Sequence, residues 1–136
     1  MTALALDQVS VALAGRTILT DVGLRCAAGE LVGIMGPNGS GKSTLMRATA
    51  GLIPRASGTI SILDKPLEDW RKEDLGRELS YLPQGGQVHW PLTVRALVSL
   101  GRLPHVHRFV RLAAKDTAAI EQAMVACEVA HLADRP

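Results

Sequence analysis

Nine consecutive residues, Gly36-Pro37-Asn38-Gly39-Ser40-Gly41-Lys42-Ser43-Thr44, carry the chemistry that can be read most directly from the chain. They fit G-x-x-x-x-G-K-[ST] at every fixed position, the phosphate-binding P-loop (Walker A) pattern. Four fixed positions match by chance in a chain of this length with a probability of roughly half a percent. The chemistry explains the residue types. Glycines let the backbone wrap a phosphate at close range, and the N–H groups at a helix start point at the anion. Lys42 is placed to reach the β- and γ-phosphates, and the Ser43 hydroxyl to bind Mg²⁺. The alternative is a glycine-rich turn followed by an ordinary surface lysine.

Such a loop works only between a strand and a helix. Leu31-Val32-Gly33-Ile34-Met35 is a short apolar run that reads as a buried strand. After the loop, Leu45, Met46, Ala48, Thr49 and Leu52 suit a helix, with Gly51 as its stop. Upstream, Leu4, Leu6, Val9, Val11 and Leu13 mark a first strand whose phase slips near Asp7-Gln8. Ala14-Gly15-Arg16 is a turn and Thr17 to Cys26 a second, antiparallel strand. Downstream, Gly58 to Leu63 alternates like a strand and Glu68 to Glu78 is a short solvated helix. Leu79-Ser80-Tyr81-Leu82 is another strand, ended by Pro83-Gln84-Gly85-Gly86.

The texture then turns helical. Thr93 caps a helix carrying Val94, Leu97 and Val98, with Gly101 just beyond it. Leu103 to Arg111 is an irregular basic loop. A second helix runs from about Ala114 to Cys127, its core face made by Ile120, Ala123, Met124 and Cys127. His105, His107 and His89 lack cysteine or carboxylate partners at metal-site spacing and read as exposed histidines, and Trp90 as a packing residue.

Composition excludes several classes. At 136 residues, 47% hydrophobic and 21% charged, this is one globular domain's worth of sequence. A net charge of +2 gives no ground for nucleic acid as a partner. Cys26 and Cys127 make no disulfide framework, which suits a reducing compartment. No apolar run is long enough to span a bilayer and the N-terminus lacks a signal-peptide pattern, so direct membrane insertion is not expected.

Gly36 to Thr44 spells GPNGSGKST, which resembles the P-loop of ATP-binding-cassette (ABC) proteins more than those of kinases or GTPases. The chain also has no Asn-Lys-x-Asp guanine motif. Arg16 to Val22 resembles the family's second strand, Ser57 to Ile60 the strand after its first helix, and Ser80 to Gln84 the strand entering its Q-loop. Thr93 to His105 and Ala130 to Pro136 are similar to ATPases of bacterial siderophore, haem and cobalamin importers. Importers of metal ions such as zinc or manganese are the alternative, and a truncated nucleotide-binding module without hydrolysis is another.

The resemblance implies an α/β fold: an incomplete ABC ATPase core with an antiparallel β-subdomain, and part of a helical subdomain. It divides the chain into residues 1–86, a partial ATP-binding core, and 87–136, a partial helical subdomain. It implies ATP and Mg²⁺ as cofactors, bound by Gly36 to Thr44 and by Gln84, with Ser43 and Gln84 on the metal and Thr44 on the α-phosphate. Its partners are transmembrane permease subunits and a second ATP-binding subunit in a homodimer, at the cytoplasmic face of the bacterial inner membrane.

Two departures accompany it. Leu13 stands where the family has an aromatic residue that stacks on adenine. The signature, the Walker B strand with its Asp and catalytic Glu, and the switch histidine do not occur in these residues. No catalytic residue is therefore assigned, and the chain reads as the N-terminal part of a longer ATPase. Ile60 to Asp64 imitates a Walker B, but Lys65 follows where Glu is needed. The resemblance also places the Walker B strand and its successor between Leu31–Met35 and Leu79–Leu82, which are then expected to lack their central neighbours.

Overall fold

The structure is a computed structural model that describes residues 1–85, 91–106 and 112–136. The chain forms two compact units, Met1–Lys72 and Glu73–Pro136. The division expected after residue 86 falls outside the described residues, as do Gly86, His89, Trp90 and His107.

The first unit is built on a hairpin. β1 (Thr2–Leu13) and β2 (Arg16–Ala27) pair antiparallel through Ala14-Gly15, whose φ values of 48° and 76° give the positive-φ turn that matches strand twist. The slip in phase near Asp7-Gln8 is a bulge. Gln8 has φ 50° and the register shifts between Leu6 and Val9, which puts both side chains in the core although they are three apart. β3 (Ser57–Ile62) lies on the other side of β1, and its Gly58 fits against the bulge. A Cβ at Gly58 would stand 2.3 Å from the Gln8 carbonyl oxygen, and its φ is +81°, so glycine is required there. A two-residue β4 (Lys65–Pro66) completes the order β2-β1-β3-β4. Asp64, the Walker B look-alike, is an exposed turn residue with φ 60° between β3 and β4.

α1 (Lys42–Thr49) lays Leu45 and Ala48 on this sheet, closing a core of Leu6, Val9, Val11, Leu19 and Ile60. Each large apolar side chain so buried contributes about 1.5–3 kcal/mol. The helix stops where expected: Leu52 donates its N–H to the Arg47 carbonyl (2.9 Å) and Gly51 to that of Ala48 (3.0 Å), which satisfies the last turn.

Two expectations fail in the same way. Residues 31–36 form no strand: Leu31 and Met35 are 99% and 94% exposed, and Val32 and Ile34 are each 37% exposed. Leu79–Leu82 is likewise not a strand, and Leu82 is 94% exposed. A parallel strand takes its hydrogen bonds and its burial from neighbours on both sides. The described sheet consists of four antiparallel strands and offers these runs none.

The second unit is helical. α2 (Lys72–Glu78) buries no side chain, as its composition suggested. α3 (Val94–Ser99) is capped by the Thr93 hydroxyl, which accepts from the Ala96 N–H at 3.2 Å. Leu100–His105 continues it as a 3₁₀ stretch, which runs through Gly101, the expected stop, and takes in the first three residues of the irregular loop expected over Leu103 to Arg111; residues 107–111 lie outside the described residues. The N–H groups of Val94 and Arg95 donate to the carbonyls of Arg135 and Ala133, both at 2.9 Å, so the last residues close over the helix start. α4 (Ala114–Ala126) buries Asp116, Ile120 and Met124, four residues apart. Ala123 and Cys127 are exposed, contrary to the expected face. Glu128, at φ 57°, turns the chain back, and Val129 rather than Cys127 packs by Met124. Asp116 accepts from the Ala113 N–H and from two Arg102 nitrogens, at 3.0 and 2.8 Å. The Arg102 guanidinium holds its carboxyl below the usual carboxylate range.

Candidate phosphate-binding site

The loop from Gly36 to Gly41 is exposed throughout, apart from a half-buried Gly41. Ser40 donates its N–H to the Pro37 carbonyl at 3.2 Å, and the Leu45 N–H bonds the Gly41 carbonyl at 2.8 Å to begin the helix. Gly41 sits at the joint between loop and helix. Its φ is +91°, and a Cβ there would lie 2.6 Å from Leu19 Cδ2 and 3.4 Å from Ile18 Cγ2. The backbone conformation favours glycine at this position, and a Cβ would in addition displace the end of the Leu19 side chain.

Fixing Gly41 against β2 aims the start of α1 outwards. Among the described residues, no group accepts from the backbone N–H of Lys42, Ser43 or Thr44, and no side chain caps the helix. Three donors therefore converge at the positive end of the helix dipole. Lys42 reaches back over the loop, its Nζ donating to the carbonyls of Gly36 (2.8 Å) and Pro37 (2.7 Å). One ammonium donor remains for an anion. Unsatisfied N–H groups, a glycine joint and an ammonium within one loop fit a phosphate chain. The exposed Ser43 hydroxyl beside them is a suitable oxygen ligand for a hard cation.

The structure thus gathers Gly36, Pro37, Asn38, Gly39, Ser40, Gly41, Lys42, Ser43 and Thr44 into one site in the first unit. Gln84 belongs to the second unit, exposed in a turn. Among the described residues no three histidine, cysteine or acidic side chains are grouped as metal ligands. An open groove of about 390 Å³ between α3 and α4, lined by Thr93, Arg95, Ser99 and Ile120, shares no residue with the loop. Sequence reasoning missed the roles of Ile18 and Leu19 behind Gly41, and of the two carbonyls that hold Lys42. Nothing in the residue types marks a backbone carbonyl as an ammonium acceptor.

The sequence matches the family model described as ABC transporter over residues 19–136. It is 38% identical over 126 residues to the hemin import ATP-binding protein HmuV of Streptomyces coelicolor, which covers 93% of this chain and 44% of that protein. It is 40% identical over 127 residues to the cobalamin import ATP-binding protein BtuD of Halobacterium salinarum, covering 93% and 31%. To the manganese transport system ATP-binding protein MntB of Bacillus subtilis it is 44% identical over 99 residues, covering 71% and 38%. The chain spans less than half the length of each of these relatives. A solved nucleotide-free ATP-binding cassette from an ABC transporter superposes with a TM-score of 0.77 at 20% identity, over 99% of this chain and 57% of that one. The fold is that of an ABC ATPase domain in part: the antiparallel sheet with α1, and a helical unit.

Proposed function

Because the chain belongs to the ABC transporter family, we propose that it is the nucleotide-holding part of an importer's ATP-binding subunit, binding ATP with Mg²⁺ at Gly36–Thr44. The observation that carries this reading is the set of free N–H groups on Lys42, Ser43 and Thr44, next to an ammonium held in the same loop. In this reading Lys42 moves from the carbonyls of Gly36 and Pro37 onto the β- and γ-phosphates, and Thr44 contacts the α-phosphate. Ser43 and Gln84 supply oxygens to Mg²⁺, which when bound neutralises charge on the phosphates. Gln84 also orients water and moves with the membrane subunit.

The partners proposed are transmembrane permease subunits and a second ATP-binding subunit, and the place is the cytoplasmic face of the bacterial inner membrane. Among the described residues no helix is long and apolar enough to cross a membrane, so the permease subunits provide the attachment. The cargo proposed is an iron-siderophore, haem or cobalamin, supported by the relatives named for hemin and cobalamin. The relative named for manganese favours a metal ion as the second reading. No residue of this chain is assigned to activating water. The chain alone is expected to bind ATP without turnover at the rate typical of enzymes, about 1–10³ s⁻¹.

Calorimetric titration of ATP–Mg²⁺ into the chain and into Lys42→Ala tests the assignment. Losing hydrogen bonds made by a charged group should weaken binding roughly tenfold or more. Equal affinity in the two proteins would remove Lys42 from the site.

A further inference from the structure

Asn38 is the sole asparagine of the chain, and Gly39 follows it. The two lie in a turn that the Ser40 N–H closes on the Pro37 carbonyl at 3.2 Å, with Gly39 at φ 82°. Both are exposed. Among the described residues nothing accepts from the Gly39 N–H and nothing holds the Asn38 side chain. A Cβ built on Gly39 would meet no atom within 4 Å, so no neighbour shields this peptide. The groups that are held lie to one side of it, where Lys42 Nζ takes the carbonyls of Gly36 and Pro37.

A free backbone nitrogen beside an asparagine amide is a reactive pair, and asparagine is among the thermolabile residues for this reason. Deprotonated, the Gly39 nitrogen attacks Asn38 Cγ and closes a five-membered ring. The new C–N bond forms as the side-chain nitrogen leaves as ammonia, which gives a cyclic imide. Water then opens the imide at either carbonyl, leaving aspartate or, with the chain rerouted through the side chain, isoaspartate. Glycine in the second position removes the side chain that would crowd the attack and lets the peptide rotate into it. Gln84-Gly85 is an internal comparison, equally exposed and followed by a glycine at φ 64°, but its ring would have six members and closes more slowly. Either product puts a carboxylate into the loop. Isoaspartate also lengthens the backbone between Pro37 and Ser40, whose hydrogen bond spans the turn.

We propose that Asn38 is a site of spontaneous modification: in the free chain it converts to aspartate and isoaspartate and the loop loses its hold on phosphate, whereas a bound triphosphate engages the Gly39 N–H and protects it. The protection rests on the phosphate reading above; the conversion does not. Peptide mapping by mass spectrometry, with enzymatic methylation to mark isoaspartate, follows the chain at mildly alkaline pH beside a synthetic peptide of residues 33–44. The chain should convert at Asn38 no more than roughly tenfold more slowly than the peptide, the cost of opening one hydrogen bond across the turn. Gln84 should stay intact meanwhile. Asn38→Gln should abolish the isoaspartate signal, since no aspartate of the chain precedes a glycine. ATP–Mg²⁺ at about ten times its dissociation constant should slow the conversion roughly tenfold, the factor by which the free loop is depleted. The converted chain, separated by its added negative charge, should bind ATP–Mg²⁺ about tenfold or more weakly than the parent. Asn38 still intact when the peptide has converted fully would overturn the proposal. So would equal affinity of the converted and parent chains, or a conversion rate unmoved by ATP–Mg²⁺ where calorimetry shows it bound. If ATP–Mg²⁺ does not bind at all, the phosphate reading falls and the protection with it, while the free chain still reads the conversion.

Discussion

Val9 and Val11 in β1 are wholly buried, whereas Leu31 and Met35, in a run just as apolar, stand almost fully in solvent. Both stretches have the composition of a strand. They differ in what surrounds them. β1 has β2 on one side, β3 on the other and α1 above, so its hydrogen bonds and its apolar face are satisfied together. The run before the loop has none of these, although it carries the same kind of side chains. Burial is a property of the partners a strand finds, and apolar sequence only makes it suitable for them.

The largest effect that would sharpen this comparison is expected from Gly58→Ala in the paired region. Its Cβ would collide with the Gln8 carbonyl and its φ of +81° strains any other residue. Urea unfolding followed by circular dichroism should show a loss of roughly 2–5 kcal/mol. A loss within half a kcal/mol would mean that the β1–β3 bulge yields and that the sheet is less tightly specified than described.

Val11→Ala comes next, at roughly 2 kcal/mol for a cavity in the core. The second unit supplies an intermediate effect through pH. Because Arg102 keeps the Asp116 carboxyl below its usual range, folding gains stability that is fully present above the ordinary carboxylate value of about 3.9. That gain is lost as pH falls through the lower, folded value. The melting midpoint of Asp116→Asn should lie below that of the parent chain at pH 7, and the two should converge in acid. A constant difference across the pH range would refute the role given to the pair.

The smallest effect is expected in the unpaired run. Leu31→Ala and Met35→Ala should each change stability by no more than about 0.5 kcal/mol, the range of ordinary surface positions. Leu31→Lys with Met35→Lys should raise the solubility of the chain, since exposed apolar residues with unpaired backbone invite edge-to-edge association. A loss of several kcal/mol from either alanine would break the comparison, because it would mean that this run is packed in solution.

What the sequence disclosed follows the same division between local and non-local causes. The loop and the helix start after it could be read from Gly36 to Thr44, since both depend on residue types within a few positions of one another. The bulge at Gln8, the stop at Gly51 and the cap at Thr93 were also legible, because each depends on a handful of adjacent residues. For Leu31–Met35 the strand reading failed, since an apolar run becomes a strand only beside partners that its own residue types do not disclose. The expectation that it lacks central neighbours came from the family resemblance and not from these residues. Cys127 was misplaced in the core for a related reason. Glu128 adopts a positive φ without being glycine, so nothing in its type announced that Val129 would take the buried place. The ammonium acceptors, Gly36 and Pro37, act through backbone carbonyls that every residue has.

The central claim, that α1 begins in a set of free donors built for phosphate, can be examined at those donors. In amide-resolved NMR spectra of the chain, titration with ATP–Mg²⁺ should shift the resonances of Gly39 to Thr44, with the largest changes at Lys42, Ser43 and Thr44. The amides of β3, from Thr59 to Ile62, should remain where they are. Shifts confined to other parts of the chain, with Lys42, Ser43 and Thr44 unmoved at saturating nucleotide, would contradict the account.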